Sequence, residues 1–193
     1  MKVKSLLLAL VLPLFISVPA MAGKHWVATW ATAEQVVEPH NCPPAPYLEN
    51  NSIRQIVQVS ISGKKIRLKF SNEFSKGPVT INAAEVAIAA TAGSSSDIIA
   101  GTEKSLTFNG SPSVTIQPGE LVISDPINFK LNNRENVAIT MHLGEASSTS
   151  VTGHPGSRTT SYIAEGQTSD FSNATATAHW YIINAIEVFA EKN

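Results

Sequence analysis

The densest group of side chains able to do chemistry is "HPGSRTTSY", His154 to Tyr162. His154-Pro155-Gly156 reads as a turn. Arg158, Thr160 and Tyr162 then fall on one face of the strand that follows, because strand side chains alternate. Arginine offers a planar fork of donors and tyrosine a flat stacking surface. With His154 the set suits an anion or a sugar. A triad of Ser157, His154 and Asp170 can also be drawn, but nothing in the spacing supports it. The plainer alternative carries more weight: a polar outer strand face beside a loop whose groups satisfy one another. Asn72 follows the end of another apolar run, and its amide suits a cap on the turn "SNEFSKGP". Asn72, His154, Arg158, Thr160 and Tyr162 are therefore the candidate ligand or partner surface.

Other chemistries lack their motifs. The sequence holds no Gly-x-Ser-x-Gly, no Gly-Asp-Ser, no His-Glu-x-x-His, no P-loop and no Gly-x-Gly-x-x-Gly. No residue is assigned as catalytic. His25 and His179 each adjoin a tryptophan on the first and last predicted strands, and both are read as structural. His142 interrupts the Met141/Leu143 face and is expected to point to solvent. His40-Asn41-Cys42 offers two potential ligands without a second spaced pair, so neither a metal nor a cofactor is expected. Cys42 is the single cysteine, so no internal disulfide forms and the apolar core must hold the fold. Asn50-Asn51-Ser52, Asn109-Gly110-Ser111 and Asn173-Ala174-Thr175 match the glycosylation sequon, which matters only in a eukaryotic secretory pathway.

The elements that must position these side chains are strands. In "IRQIVQVSISGKKIRLKF", Val57, Val59 and Ile61 alternate with Gln58 and Ser60, and Ile66, Leu68 and Phe70 alternate with Arg67 and Lys69. Ser62-Gly63 lies between the runs, which predicts an antiparallel hairpin with one wet face. Val79 to Ile88, Leu106 to Phe108, Val114 to Ile116, Leu121 to Ile123, Ile127 to Leu131 and Val137 to Leu143 continue the period. Arg158 to Ala164 and Trp180 to Ala190 complete it, the last with a bulge expected near Asn184 and Ala185. "EPHNCPPAPY" is a stiff connection between the first two strands. About ten short strands without an amphipathic helix predict an all-β fold, an antiparallel β-sandwich of jelly-roll-like form.

The N-terminus reads as a secretory signal peptide over 1–22. Lys2 and Lys4 precede an apolar run over 6–18, and Ala20-Met21-Ala22 offers a cleavage site. The run is shorter than the roughly 20 residues a spanning helix needs, so no membrane span is expected. A secreted or periplasmic location follows. Removing 22 of the 193 residues leaves 171 and takes away both lysines, so the formal net charge of −1 becomes −3. That length suits one domain, 23–193. No basic stripe is present, so no nucleic-acid partner is expected. Lys64, Lys65, Arg67 and Lys69 cluster only as a turn and the polar face of a strand.

Four stretches taken in order carry a family resemblance. They are "WVATWATAEQ", "PPAPYLENNSIRQIVQVSISGKKIRLKFSNEF", "LTFNGSPSVTIQPGELVISDPINF" and "HPGSRTTSY". Together they resemble the N-terminal β-sandwich of a subgroup of secreted GDSL-type, or SGNH, esterases and lipases. The resemblance covers nearly all of residues 23–193 and is most specific from Arg54 to Asn72. In that family the last sandwich strand, similar to "WYIINAIEVFA", leads into the Gly-Asp-Ser block of the hydrolase domain. No position here matches that block, so the resemblance carries over no catalytic residue. It implies a non-catalytic accessory sandwich, standing alone or truncated, whose partner is a GDSL-type hydrolase domain. An exposed apolar patch is then expected where that partner sits. The alternatives are a carbohydrate-binding module using Trp26, Trp30, Trp180, Tyr162 or Tyr181 on a polysaccharide, and an ester hydrolase acting with a separate catalytic partner.

Overall fold

The computed structural model describes residues 25–190. The expected signal peptide lies outside them. β1 (His25–Ala31), β2 (Gln35–Val36), β3 (Ser52–Gln58), β4 (Gly63–Ser71) and β5 (Val79–Ile88) come first. β6 (Lys104–Ser105), β7 (Val114–Ile116), β8 (Leu121–Ile123), β9 (Ile127–Leu131) and β10 (Asn136–Leu143) follow. β11 (Thr152–Pro155), β12 (Ser161–Ala164), β13 (Thr175–Thr177), β14 (His179–Tyr181) and β15 (Ile183–Ala190) complete the described chain. Among the described residues no helix is long and apolar enough to cross a membrane.

Three antiparallel sheets result. The first runs β1-β15-β4-β8, with β9 also on β4. The second runs β13-β12-β3-β10-β5-β6, with β7 also on β5. The third, small sheet is β14-β11-β2. Ile66, Leu68 and Phe70 of the first sheet meet Ile53, Val57, Ile139 and Met141 of the second in one buried core. That is the expected all-β sandwich, two sheets closed over interdigitating inner faces.

The predicted hairpin between β3 and β4 does not form. β3 pairs with β10 and β12, whereas β4 pairs with β15, β8 and β9. The connection is an arch from one sheet to the other. Thr29, at the register shift of β1, holds it there. Its hydroxyl donates to the Ile61 carbonyl at 2.8 Å and accepts the Ile61 N–H at 3.0 Å, while its own carbonyl accepts the Ser60 N–H at 2.8 Å. Alternation places apolar side chains inward from both runs whether they pair with each other or face each other across a core. It does not choose between the two.

β3 also lacks the expected wet face, since Ser52 to Val57 are all buried. Its outer side chains lie under the loop after β5 and under Tyr162, around Ile56, Ala89 and Ala138. Leu106 to Phe108 is not a strand: Phe108 makes only a single bridge to Ser111 around Asn109-Gly110. The run Trp180 to Ala190 is divided at Ile182, whose φ of 68° turns the chain out of the small sheet and into the first one. The bulge expected near Asn184 and Ala185 is present as a register shift against β4.

β4 shows the sandwich logic most plainly. Ile66, Leu68 and Phe70 point inward, and Arg67 and Lys69 lie on the outer face. There both reach Glu187 of β15, at 2.6 Å and 2.7 Å. Arg67 also lies over Trp26, 4.5 Å from the ring centre. Burial pushes the Glu187 carboxyl up, but the hydrogen bonds and charges of Lys69 and Arg67 outweigh it and hold it below the usual range. A depressed carboxyl contributes stability above its unfolded pKa, and that contribution is lost as pH falls through the folded value. Replacing Glu187 with alanine should cost about 1–2 kcal/mol in urea denaturation at neutral pH and little in acid.

Candidate functional site

The structure separates the five candidate surface residues. Arg158 is exposed with φ 62°, a left-handed turn residue, so the strand begins only at Ser161 and not at Arg158. Thr160 lies just before that strand. Tyr162 sits on the outer face of the second sheet, opposite Arg54, and its hydroxyl donates to the Gly93 carbonyl at 3.4 Å. The face that was to join Arg158, Thr160 and Tyr162 is therefore not formed. His154 belongs to β11 in the small sheet, stacks on Trp180 at 5.8 Å and meets the Ala33 carbonyl through Nδ1 at 2.7 Å.

Asn72 is fully buried. Its amide donates to the carbonyls of Gly77 and Ile116, both at 2.9 Å, and its carbonyl oxygen accepts from Ser75. It caps the turn after β4, as its position in "SNEFSKGP" suggested, and it also ties that turn to β7.

One pair has the geometry of a nucleophile and base. Ser52 Oγ lies 2.8 Å from His142 Nδ1. His142 is thus half-buried on β10 and does not point freely to solvent. Burial pushes its imidazole down, with Glu85 pulling upward and Arg54 downward. Ser52, however, is fully buried between the Gly166 carbonyl at 2.7 Å and the Thr168 N–H at 2.9 Å. Its single hydrogen satisfies Gly166, so the pair fastens the loop after β12 to the sheet edge. A hydroxyl without access to solvent cannot attack a substrate. His179 is structural as well, since its Nδ1 accepts the Gly156 N–H at 3.0 Å.

Neighbouring Arg54 is buried with two of its nitrogens hydrogen-bonded, while Nη2 has no hydrogen-bond partner. Nε donates to Thr140 at 2.9 Å, Nη1 to the Ser96 carbonyl at 2.9 Å, and the guanidinium lies 4.3 Å from the Phe171 ring centre. Glu85 is 3.9 Å from Nη2. This cluster seals the outer face of the second sheet. A half-open depression of about 250 Å³ lies beyond it, lined by Glu165, Thr168, Asp170 and Ser172. Asp170 is already committed to the Ser172 N–H at 2.9 Å. Among the described residues no group of three or more His, Cys, Asp or Glu side chains is placed to hold a metal ion.

The most unusual polar arrangement was not anticipated from the sequence. It lies where the turn between β1 and β2 meets the end of β4. Glu34 Oε2 accepts from Asn184 Nδ2 at 2.9 Å, while Glu34 Oε1 is buried without a hydrogen-bond partner. Ser71 donates to Glu73 Oε2 at 3.0 Å and lies close enough to act on the Glu34 carboxyl too. Burial pushes Glu34 up to about 7; Asn184 and Ser71 oppose this, and the Glu73 charge adds to it. No local signal marks the set, because Glu34 and Asn184 stand 150 positions apart.

Exposed apolar side chains border this corner. Val36 (53%), Phe74 (46%), Leu121 (38%) and Ile123 (41%) are among the most exposed large apolar residues. Val36 pairs with Thr152, whose hydroxyl accepts the Phe74 N–H at 2.8 Å. Leu121 pairs with Ser71 and Ile123 with Lys69. Paired residues of antiparallel strands project from the same face, so Leu121 and Ser71 share one. The aromatics named as sugar platforms are placed differently. Tyr181 is fully buried, Trp30 packs edge-on against Trp180 at 5.0 Å, and Trp26 packs on Phe189 at 5.1 Å. In comparisons with known proteins, no family model matches this chain and no curated protein matches it.

Proposed function

We propose that the protein is a secreted, non-catalytic β-sandwich that serves a GDSL-type ester hydrolase domain as an accessory module. The observation that carries this reading is the exposure of Val36 on the small sheet, Phe74 in the turn after β4, and Leu121 and Ile123 on β8. Such a module needs a surface on which to seat its partner, and exposed large apolar side chains are the usual sign of one. The family resemblance of the sequence supports the choice of partner. The burial of Ser52 supports a role without chemistry of its own. The polysaccharide alternative draws less support, because Tyr181 is fully buried and the three tryptophans are each packed against another aromatic ring.

The test is reconstitution. A GDSL-type hydrolase domain stripped of its own N-terminal sandwich is titrated with this protein, and binding is followed by calorimetry. We expect binding, and no turnover of p-nitrophenyl acetate by the protein alone. The double variant Phe74→Ser, Leu121→Ser should weaken binding at least about tenfold, or ~1.4 kcal/mol. A protein that leaves the hydrolase unbound and its rate unchanged is not its accessory module.

A further inference from the structure

We propose that Glu34 carries a proton that it donates to Ser71, and that this proton latches the turn between β1 and β2 onto the end of β4. Two ionised carboxylates present four acceptor oxygens and no donor. The side-chain donors offered to them here are Asn184 Nδ2, taken by Glu34 Oε2, and the Ser71 hydroxyl, taken by Glu73 Oε2. Glu34 Oε1 is left buried and unpaired. A buried acceptor without a donor is costly.

A hydrogen on Glu34 Oε1 resolves this. Ser71 Oγ has two lone pairs. One accepts the Glu73 N–H at 3.3 Å, and the other is open to a donor. Protonated Glu34 then donates to Ser71, and Ser71 donates to Glu73. The latch takes up one proton from solvent and gives it back on release. The Glu73 charge acts on Glu34 and adds to the preference for its protonated form.

The other neighbours are neutral or turned to partners of their own. β15 presents neutral Asn184 and β4 presents neutral Ser71. The Glu120 carboxylate is turned to the Gln117 N–H at 3.1 Å, and Glu38 to Gln35 and Asn41. From β11, His154 faces the neighbouring Ala33 carbonyl. Glu73 is the charged side chain that acts on Glu34.

The sign is opposite to that of Glu187. Glu34 binds its proton more tightly folded than unfolded, so its stabilisation is complete below pH 4.5 and is lost between there and about pH 7. Each pH unit in that window should raise the unfolding constant by up to about tenfold from this site.

The experiment is a carbon-detected carboxyl titration of the purified protein, with denaturation across the same pH range. One glutamate should titrate near pH 7 and vanish in Glu34→Gln, and that variant's stability should be flatter with pH. Glu73→Gln, at an exposed position, keeps the test independent of whether Glu34→Gln folds: it should move the Glu34 midpoint toward acid. The proposal is overturned if no glutamate titrates above about pH 6 in the wild type, or if Glu73→Gln leaves the midpoint in place.

Discussion

Replacing Gln55 with leucine should lower the free energy of unfolding by about 2–5 kcal/mol, the largest loss expected from a single side chain of this fold. Gln55 lies in the middle of β3 and is fully buried. Its amide donates to the Tyr181 carbonyl at 2.9 Å, and its carbonyl oxygen accepts the Tyr181 N–H at 2.7 Å. One side chain thus supplies both hydrogen bonds that a strand neighbour would otherwise give Tyr181. Leucine matches the volume but leaves a buried N–H and a buried carbonyl unpaired, each worth roughly 1–3 kcal/mol. Guanidinium denaturation at neutral pH measures the change. A loss below about 1 kcal/mol would mean that water reaches Tyr181 and that the clamp does not join the small sheet to the second one.

Gly153→Ala should be nearly as damaging, at about 2–4 kcal/mol. Gly153 is the central residue of the small sheet, paired with Tyr181 on one side and Gln35 on the other. A Cβ there would stand 2.6 Å from the Trp180 carbonyl oxygen, 2.9 Å from Val37 Cγ2 and 3.0 Å from Tyr181 Cδ1. The first of these is backbone within the same sheet and cannot rotate aside. β14 must move away from β11, which strains the seat of His154 on Trp180. Hydrogen exchange should speed up at Ile182 N–H, which donates to Thr152 in the native sheet. Unchanged protection there, with an unchanged melting temperature, would show that the sheet absorbs a methyl group.

Much of the fold was legible along the chain. Alternation in Ile66-Arg67-Leu68-Lys69-Phe70 identifies both the strand and its inner face, because a sandwich needs one side dry. The cap role of Asn72 was legible for a similar reason: a short amide just past a strand end has few other partners. Pairing was not legible. Thr29 turns an apparent hairpin into an arch through contacts 32 positions away, and no local pattern carries that. Nor does alternation reveal that Ile56 is covered from outside by a later loop, which makes β3 dry on both faces.

The site divides along the same line. His154 and Asn72 were singled out for their chemistry, and both come to rest near the corner formed by Glu34, Ser71 and Glu73. Arg158, Thr160 and Tyr162 do not join them, because the left-handed turn at Arg158 ends the extended run that would align them. By itself the sequence determined that this is an all-β chain with one apolar core, since period-two patterning and turn residues act over a few positions. Tertiary structure alone decided which strands became neighbours, and with them where a buried carboxyl would lack a donor. A hydrogen bond joins atoms that are close in space, and Glu34 meets Asn184 only once β1 has paired with β15.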